Sequence, residues 1–268
     1  MPVIPTADYT LLDNPYVLDM LFHPRPGYNL APTPSARKIA IPVAQEVTIG
    51  GRFYIAAAGA VNILFFHGNG EIVDDYDDLG TLYNQLGINL LAVDYRGYGD
   101  STGQPTTSAM MADAHAIFRF VTQWLQEHKH TGALLVMGRS LGSASALELV
   151  SQYPEQIAGL IIESGFAYTG PLLRLIGVDT EQLGFKESQG IQNLEKIKTF
   201  TEPTLVIHAE FDHIIPFADG QALYEASPAA DKRLLKILRA NHNNIFALAL
   251  WEYMGAIKNF ADRFKSEA

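Results

Sequence analysis

The chain of 268 residues contains no cysteine. That excludes disulfides, thiolate-ligated zinc and a cysteine nucleophile together, and it leaves the redox compartment open. Basic residues are scarce too: 19 Lys and Arg stand against 29 Asp and Glu, a formal net charge of -10. They form no cluster, and neutralising phosphates takes clustered cations, so no nucleic-acid partner is expected. No uncharged apolar run reaches about 18 residues, so no transmembrane segment is expected either. The chain does not open on a basic region followed by an apolar stretch, and it reads as a cytoplasmic protein. Charged residues make up only 18% and hydrophobic ones 48%, which excludes a disordered chain and suits one large domain with a substantial core. Internal repeats and low-complexity linkers are missing as well.

What is present is unevenly distributed. Seven of the 14 prolines fall in the first 34 residues, which denies that stretch long helices and central strands. Residues 1–38 therefore read as a proline-rich N-terminal arm, with residues 16–22 forming a short apolar helix that docks on the body. Residues 45–49 and 52–57 read as a hairpin closed by a Gly50-Gly51 turn. Apolar runs at 61–66, 89–93, 157–162 and 204–208 suit strands buried on both faces. A strand over 233–238 follows, and helical patterns over 77–86, 108–127, 220–225 and 243–264 alternate with the strands. Residues 165–200 break this rhythm and read as an insertion. Strands alternating with helices predict a mostly parallel sheet covered on both faces.

The stretch that organises the rest runs from Leu134 to Ala146. An apolar strand pattern stops at Gly138-Arg139-Ser140-Leu141-Gly142 and turns into an alanine-rich helical pattern. This G-x-S-x-G pattern is that of a nucleophile elbow, a strained turn holding a serine oxygen clear of its backbone. The next residue opens a helix, so its free N–H can stabilise an oxyanion. In a parallel sheet, functional groups gather at the carboxyl ends of the strands. Those ends carry His67-Gly68-Asn69-Gly70, Asp94-Tyr95-Arg96-Gly97, Ser140, Glu163, Asp212 and His242. A nucleophilic serine needs a base, and the base needs an acid to orient it.

Here the chain resembles the α/β-hydrolase superfamily from about residue 40 onward, and more narrowly the Bem46-like group that includes α/β-hydrolase domain-containing types 13 and 17. The matching residues are His67-Gly68-Asn69-Gly70, Asp94 to Gly99 with Ser101 and Gly103, and the elbow. Glu163-Ser164 with Phe166, His208 with Asp212 and Pro216, and Asn241-His242-Asn243 complete the set. The resemblance implies an α/β-hydrolase fold with an eight-stranded-type sheet, in which residues 39–268 form the domain and 165–200 a small cap. It also implies Ser140 as nucleophile, His242 as general base, Asp212 as orienting acid, and the N–H groups of Leu141 and Asn69 as the oxyanion hole. Two positions depart from the group. Ala209 stands where glycine is frequent and Gly165 where proline is frequent, and neither belongs to the triad.

Alternatives stand beside each assignment. Ser140 is otherwise a turn serine and Asp212 a helix N-cap. Glu163 is an alternative acid, or a structural hydrogen-bonding group. His208 rivals His242 as base but reads as a packed strand-end residue. Asp94 and Arg96 read as braces for neighbouring loops through bonds to backbone. The acidic run Glu71, Asp74, Asp75, Asp77 and Asp78 reads as a solvated helix start; if it rims the pocket it disfavours polyanionic substrates. The His208, Asp212, His213 cluster is not expected to bind metal, and neither glycine set forms a dinucleotide or phosphate motif, so no cofactor is expected.

The expected reaction is acyl transfer through a Ser140 acyl-enzyme, acting on a small or medium carboxylic ester or other acylated small molecule. Phe166, Leu172, Leu173 and Ile176 are the expected substrate-binding residues of the cap. A thioesterase or deacylase, an aminopeptidase-type amidase, and a non-catalytic ligand-binding protein of the same fold are the alternatives. A monomer or weak homo-oligomer is expected.

Overall fold

The computed structural model describes residues 8–28, 33–34 and 36–265; the other residues of the proline-rich arm, and the last three of the chain, lie outside it. Helix α1 (Pro15–Leu21) starts as its sequence directs. The Asn14 side chain accepts from the Tyr16 N–H and proline occupies the first turn, where its missing N–H is not needed. Val17 and Leu21 anchor this helix in the core.

Strands β1 (Ala36–Ala44) and β2 (Val47–Tyr54) form an antiparallel hairpin. The reversal occurs at Gln45-Glu46, with Glu46 at φ 58°, and the expected Gly50-Gly51 turn is incorrect. Both glycines lie inside β2, where they let the strand approach its neighbours. A β-carbon on Gly51 would sit 3.1 Å from the Ala92 carbonyl oxygen, and one on Gly50 would sit 3.3 Å from Asp94 Oδ2.

The chain then alternates: β3 (Val61–Phe66), α2 (Asp77–Gln85), β4 (Ile88–Val93), α3 (Thr107–Glu127), β5 (Leu134–Arg139), α4 (Gly142–Gln152) and β6 (Gly159–Glu163). After it come the short helices α5 (Thr169–Leu175) and α6 (Asn193–Ile197), then β7 (Thr204–Ala209), α7 (Phe217–Ala226), β8 (Lys232–Ile237) and α8 (Ile245–Ala261). The eight strands make one sheet in the order β1-β2-β4-β3-β5-β6-β7-β8. Its first two pairings are antiparallel, and all others are parallel.

Alternate residues of each central strand feed two cores. Leu64, Phe66, Val136 and Ile162 face the layer of α3 and α4, together with Phe118 and Leu147. Ile63, Phe65, Met137 and Ile161 face the layer of α2 and α8, together with Tyr83, Tyr253 and Ile257. Each such side chain contributes about 1.5–3 kcal/mol by leaving water, so the register of the central strands is tightly specified. Residues 165–200 form no strand. Leu173, Val178, Ile191, Ile197 and Phe200 of this segment are buried in the first core, and its helix α6 packs against α4 and α7.

Candidate active site

The elbow is built by close backbone packing. A β-carbon on Gly138 would lie 2.3 Å from the Gly142 carbonyl oxygen, and one on Gly142 would lie 2.1 Å from that of Phe66, so only glycine fits at either place. Between them Ser140 adopts φ 50°, a left-handed conformation uncommon for a residue with a side chain. Neighbours hold it there. The Ser140 N–H donates to the Glu163 carbonyl at 2.8 Å, while the Ser143 N–H and hydroxyl both donate to the Ser140 carbonyl.

The ends of β5, β7 and β8 bring three side chains into line. His242 Nε2 lies 3.0 Å from Ser140 Oγ, and His242 Nδ1 lies 2.7 Å from Asp212 Oδ2. The other Asp212 oxygen accepts from the N–H groups of Ile214 and Ile215, which orients the carboxylate. Burial works to raise the Asp212 pKa, but the bonds from His242, Ile215 and Ile214 outweigh it and hold the group below the ordinary carboxylate value. Asp212 is thus an anion aimed at Nδ1, which leaves Nε2 of a neutral ring free to accept from the serine hydroxyl.

His208 does not compete for this position. Its Nε2 is 2.8 Å from the Ile215 carbonyl oxygen and 3.6 Å from Asp212, and burial pushes its pKa down, so it is a neutral packed residue. Glu163 does not reach His242 either. Its oxygens accept from Arg139 and from the Tyr253 hydroxyl, and burial raises its pKa.

Arg139 is the group that sequence reasoning passed over. Its Nε donates to Glu71 at 2.8 Å, Nη1 to Glu163 at 3.0 Å and Nη2 to the His242 carbonyl at 3.1 Å. A charged residue ending an otherwise apolar strand was the available signal, since such a residue must be paired when buried. Glu71 likewise belongs to this frame and not to a solvated helix start. It accepts from Arg139, from the Gly68 N–H at 2.7 Å and from the Tyr76 hydroxyl at 2.5 Å. Burial favours its neutral form, yet Arg139 and these donors bring its pKa below the usual value. Three more of the acidic run are also engaged: Asp74 and Asp77 pair with the buried Arg52, and Asp75 pairs with Arg25, while Asp78 is exposed in the first turn of α2, as a solvated helix start would be.

The loop after β3 is fixed from several sides. His67 bonds through Nε2 to Asp94 at 3.1 Å, and its carbonyl accepts from the Tyr95 hydroxyl at 2.6 Å. Asp94 also accepts from the Val73 N–H, a brace of the expected kind. Arg96 instead pairs with the Asp113 carboxylate on α3, through bonds of 2.7 and 2.8 Å. Among the described residues, the backbone N–H groups of Asn69 and Leu141 donate to no protein acceptor. They are the two groups that the family resemblance implies as oxyanion donors.

Of the expected cap residues, Phe166 and Leu172 line a cavity of about 120 Å³ beside the Asp212 loop, together with Leu175 and Ile214. Leu173 and Ile176 are not brought to it: Leu173 is fully buried in the core and Ile176 packs against that core, because the same face of α5 docks the segment. A second cavity of about 440 Å³ runs between α2 and α8, with Leu79, Leu82, Phe246 and Leu250 as walls and Arg139 and Glu71 at one end. Among the described residues no three His, Asp or Glu side chains are grouped to hold a metal, and no helix is long and apolar enough to cross a membrane.

Comparison with known proteins accords with this architecture. Residues 59–178 match the family model described as Serine aminopeptidase, S33. The α/β hydrolase domain-containing protein 17C of Xenopus tropicalis is 31% identical over 206 residues, covering 74% of this chain and 60% of that protein. The lysophosphatidylserine lipase ABHD12 of Macaca fascicularis is 32% identical over 201 residues, covering 68% of this chain and 49% of that protein. The chain thus spans about half to three fifths of the length of these relatives. Among solved structures, the Pyrococcus furiosus esterase Pf2001 superposes with a TM-score of 0.75 at 18% identity, covering 91% of this chain and 100% of that one, a likeness of fold. With its eight-stranded sheet, its helices on both faces and this sequence similarity, the chain belongs to the α/β-hydrolase superfamily and is similar to the type 17 α/β hydrolase domain-containing proteins.

Proposed function

We propose that this protein is a serine hydrolase that cleaves a carboxylic ester of small or medium acyl or alkyl length. One observation carries the reading: the unbroken line of hydrogen bonds from Asp212 through both nitrogens of His242 to Ser140 Oγ, at 2.7 and 3.0 Å. In the proposed reaction Ser140 attacks the carbonyl carbon while His242 Nε2 takes its proton. Asp212 holds the ring in the tautomer this requires and stabilises the imidazolium that forms. The N–H groups of Leu141 and Asn69 stabilise the oxyanion, and His242 returns the proton to the leaving alcohol. Water activated by the same histidine then cleaves the acyl-enzyme.

Residues 39–268 form the hydrolase domain in this reading, with 165–200 as its cap. The cavity beside Phe166 and Leu172 supports a short chain. Its volume of about 120 Å³ is small, and its walls are mostly apolar. Amide cleavage is the second reading, favoured by the aminopeptidase description of the matching family model.

A fluorophosphonate probe with peptide mapping, beside a chain-length series of p-nitrophenyl esters and a set of aminoacyl-p-nitroanilides, tests both readings. Label on Ser140 and a rate optimum at short esters are expected. No label on Ser140 at neutral pH refutes the hydrolase reading. Faster turnover of anilides than of esters replaces the first reading with the second.

A further inference from the structure

The N-terminal arm ends its packed course against the loop that carries Asn69. Three ties hold it along the body. Tyr9 meets Glu148 and Lys196, the Tyr16 hydroxyl donates to the Gly177 carbonyl at 2.7 Å, and residues 23–28 lie along the loops after β3 and β4. The last tie is the most densely bonded. Arg25 Nε donates to the Gly70 carbonyl at 2.6 Å, and Gly27 and Gly99 are joined by a bond from the Gly27 N–H. The Gly99 N–H returns a bond to the Arg25 carbonyl.

At its centre stands the side-chain amide of Asn69. Its Oδ1 accepts from the His23 backbone N–H at 2.9 Å, an N–H that it shares with the Tyr98 hydroxyl oxygen at 2.7 Å, and from the Tyr98 hydroxyl at 2.6 Å. A backbone N–H can only donate, so this contact settles which end of the amide is oxygen. The Asn69 Nδ2 must then be the donor in its 2.8 Å contact with His23 Nδ1. The imidazole of His23 accepts there and, when neutral, carries its proton on Nε2. The amide is gripped on three sides, and two of the grips come from one residue of the arm.

We propose that His23 is a positioning residue for the oxyanion hole: it clamps the Asn69 side chain so that the Asn69 backbone N–H stays aimed at the reacting carbonyl. The inference rests on the serine hydrolase reading. A donor set by such a clamp contributes only if its geometry survives into the transition state, where small displacements lower turnover steeply. Loss of the clamp therefore acts on kcat and leaves ground-state binding of a short ester largely intact.

The test compares wild type with His23→Ala, His23→Asn and Tyr98→Phe on p-nitrophenyl acetate, with fluorophosphonate titration counting competent Ser140 in each sample. Asparagine places an oxygen acceptor where histidine has Nδ1, so it restores the bond that alanine removes. His23→Ala is expected to lose about tenfold in kcat per labelled site with KM within about twofold, and His23→Asn to recover to within about threefold of wild type. Tyr98→Phe removes one hydroxyl from the same amide and is expected to lower kcat in the same direction. Should His23→Ala fail to fold, His23→Asn and Tyr98→Phe carry the comparison. A full kcat in His23→Ala, an asparagine variant as poor as alanine, or an unimpaired Tyr98→Phe overturns the inference alone. A wild-type protein that neither labels nor hydrolyses esters overturns it together with the reading beneath it.

Discussion

Arg139 Nη2 donates to the backbone carbonyl of His242 at 3.1 Å, so the residue preceding Ser140 holds the loop that carries His242. The same guanidinium spans Glu71, which fixes the Gly68 N–H, and Glu163, whose own carbonyl accepts from the Ser140 N–H. One buried cation thereby ties together the loops of the proposed nucleophile, base and oxyanion donors.

Replacing that cation separates its two tasks. Arg139→Met leaves the buried Glu163 and the half-buried Glu71 without their counter-charge and is expected to destabilise the protein by about 3 kcal/mol, measured by urea unfolding. Arg139→Lys keeps the charge but has no planar fork to reach three acceptors at once. It is expected to fold and to lose at least about tenfold in kcat on a short ester. A lysine variant with wild-type kcat removes the His242 carbonyl contact from the account of the site.

Asp212→Asn is a milder change sterically and a larger one chemically. The retained oxygen can still accept from Ile214 and Ile215, so the fold is expected to persist. The new amide nitrogen then faces His242 Nδ1, forcing that nitrogen to accept and placing the ring proton on Nε2, where it blocks proton removal from Ser140. A fall in kcat of about 10³-fold or more is expected, with the melting temperature little changed. Survival of more than a tenth of the activity assigns the orienting role elsewhere.

The elbow was legible from glycines at fixed offsets, and the side chains aligned with it from the order in which a serine, an acid and a histidine follow β5, β7 and β8. Gly50-Gly51 misled because a glycine pair marks close approach as readily as reversal. Arg139 and Glu71 lie 68 positions apart, and no spacing announces their pairing. The apolar residues of 165–200 carry no mark of their division of labour. Leu173 faces inward and Leu172 reaches a cavity, which depends on how α5 is rotated against the core. The contact of His23 with Asn69 was hidden for the same reason as the arginine frame, since a proline-rich stretch carries no periodicity to say what it will touch.

Two glycines in helices provide a matched pair. Alanine is the better helix former by about 1 kcal/mol, so Gly255→Ala, whose β-carbon meets nothing within 4 Å in α8, is expected to stabilise by roughly 0.5–1 kcal/mol. Gly142→Ala gains the same propensity at the start of α4 but drives a β-carbon to 2.1 Å from the Phe66 carbonyl oxygen. Backbone on both sides cannot yield cheaply, and a loss of about 3 kcal/mol with most of the activity is expected. Thermal denaturation of the two variants side by side checks the opposite signs. A Gly142→Ala protein as stable as wild type is incompatible with this packing of the elbow.

The buried carboxylate of Glu148, on the helix that follows Ser140, contributes to the response to acid. It pairs with Lys196 at 2.7 Å, and it accepts from the Tyr9 hydroxyl at 3.1 Å and lies 3.2 Å from His115 Nε2. Burial favours the neutral acid, but the His115 bond and the Lys196 charge outweigh it and bring the pKa from 4.5 to about 2. Since the folded value lies below the unfolded one, the carboxylate contributes stability that is fully present above about pH 4.5 and is lost as the pH falls toward 2. Glu148→Gln removes the charge at every pH and strands the Lys196 ammonium, so it is expected to be less stable than wild type by about 3 kcal/mol at pH 7. That gap is expected to narrow steadily between pH 4.5 and pH 2 as wild type takes up the proton that the glutamine imitates. Urea unfolding midpoints across this range measure it, and a gap that stays constant to the acid end places the linkage outside Glu148.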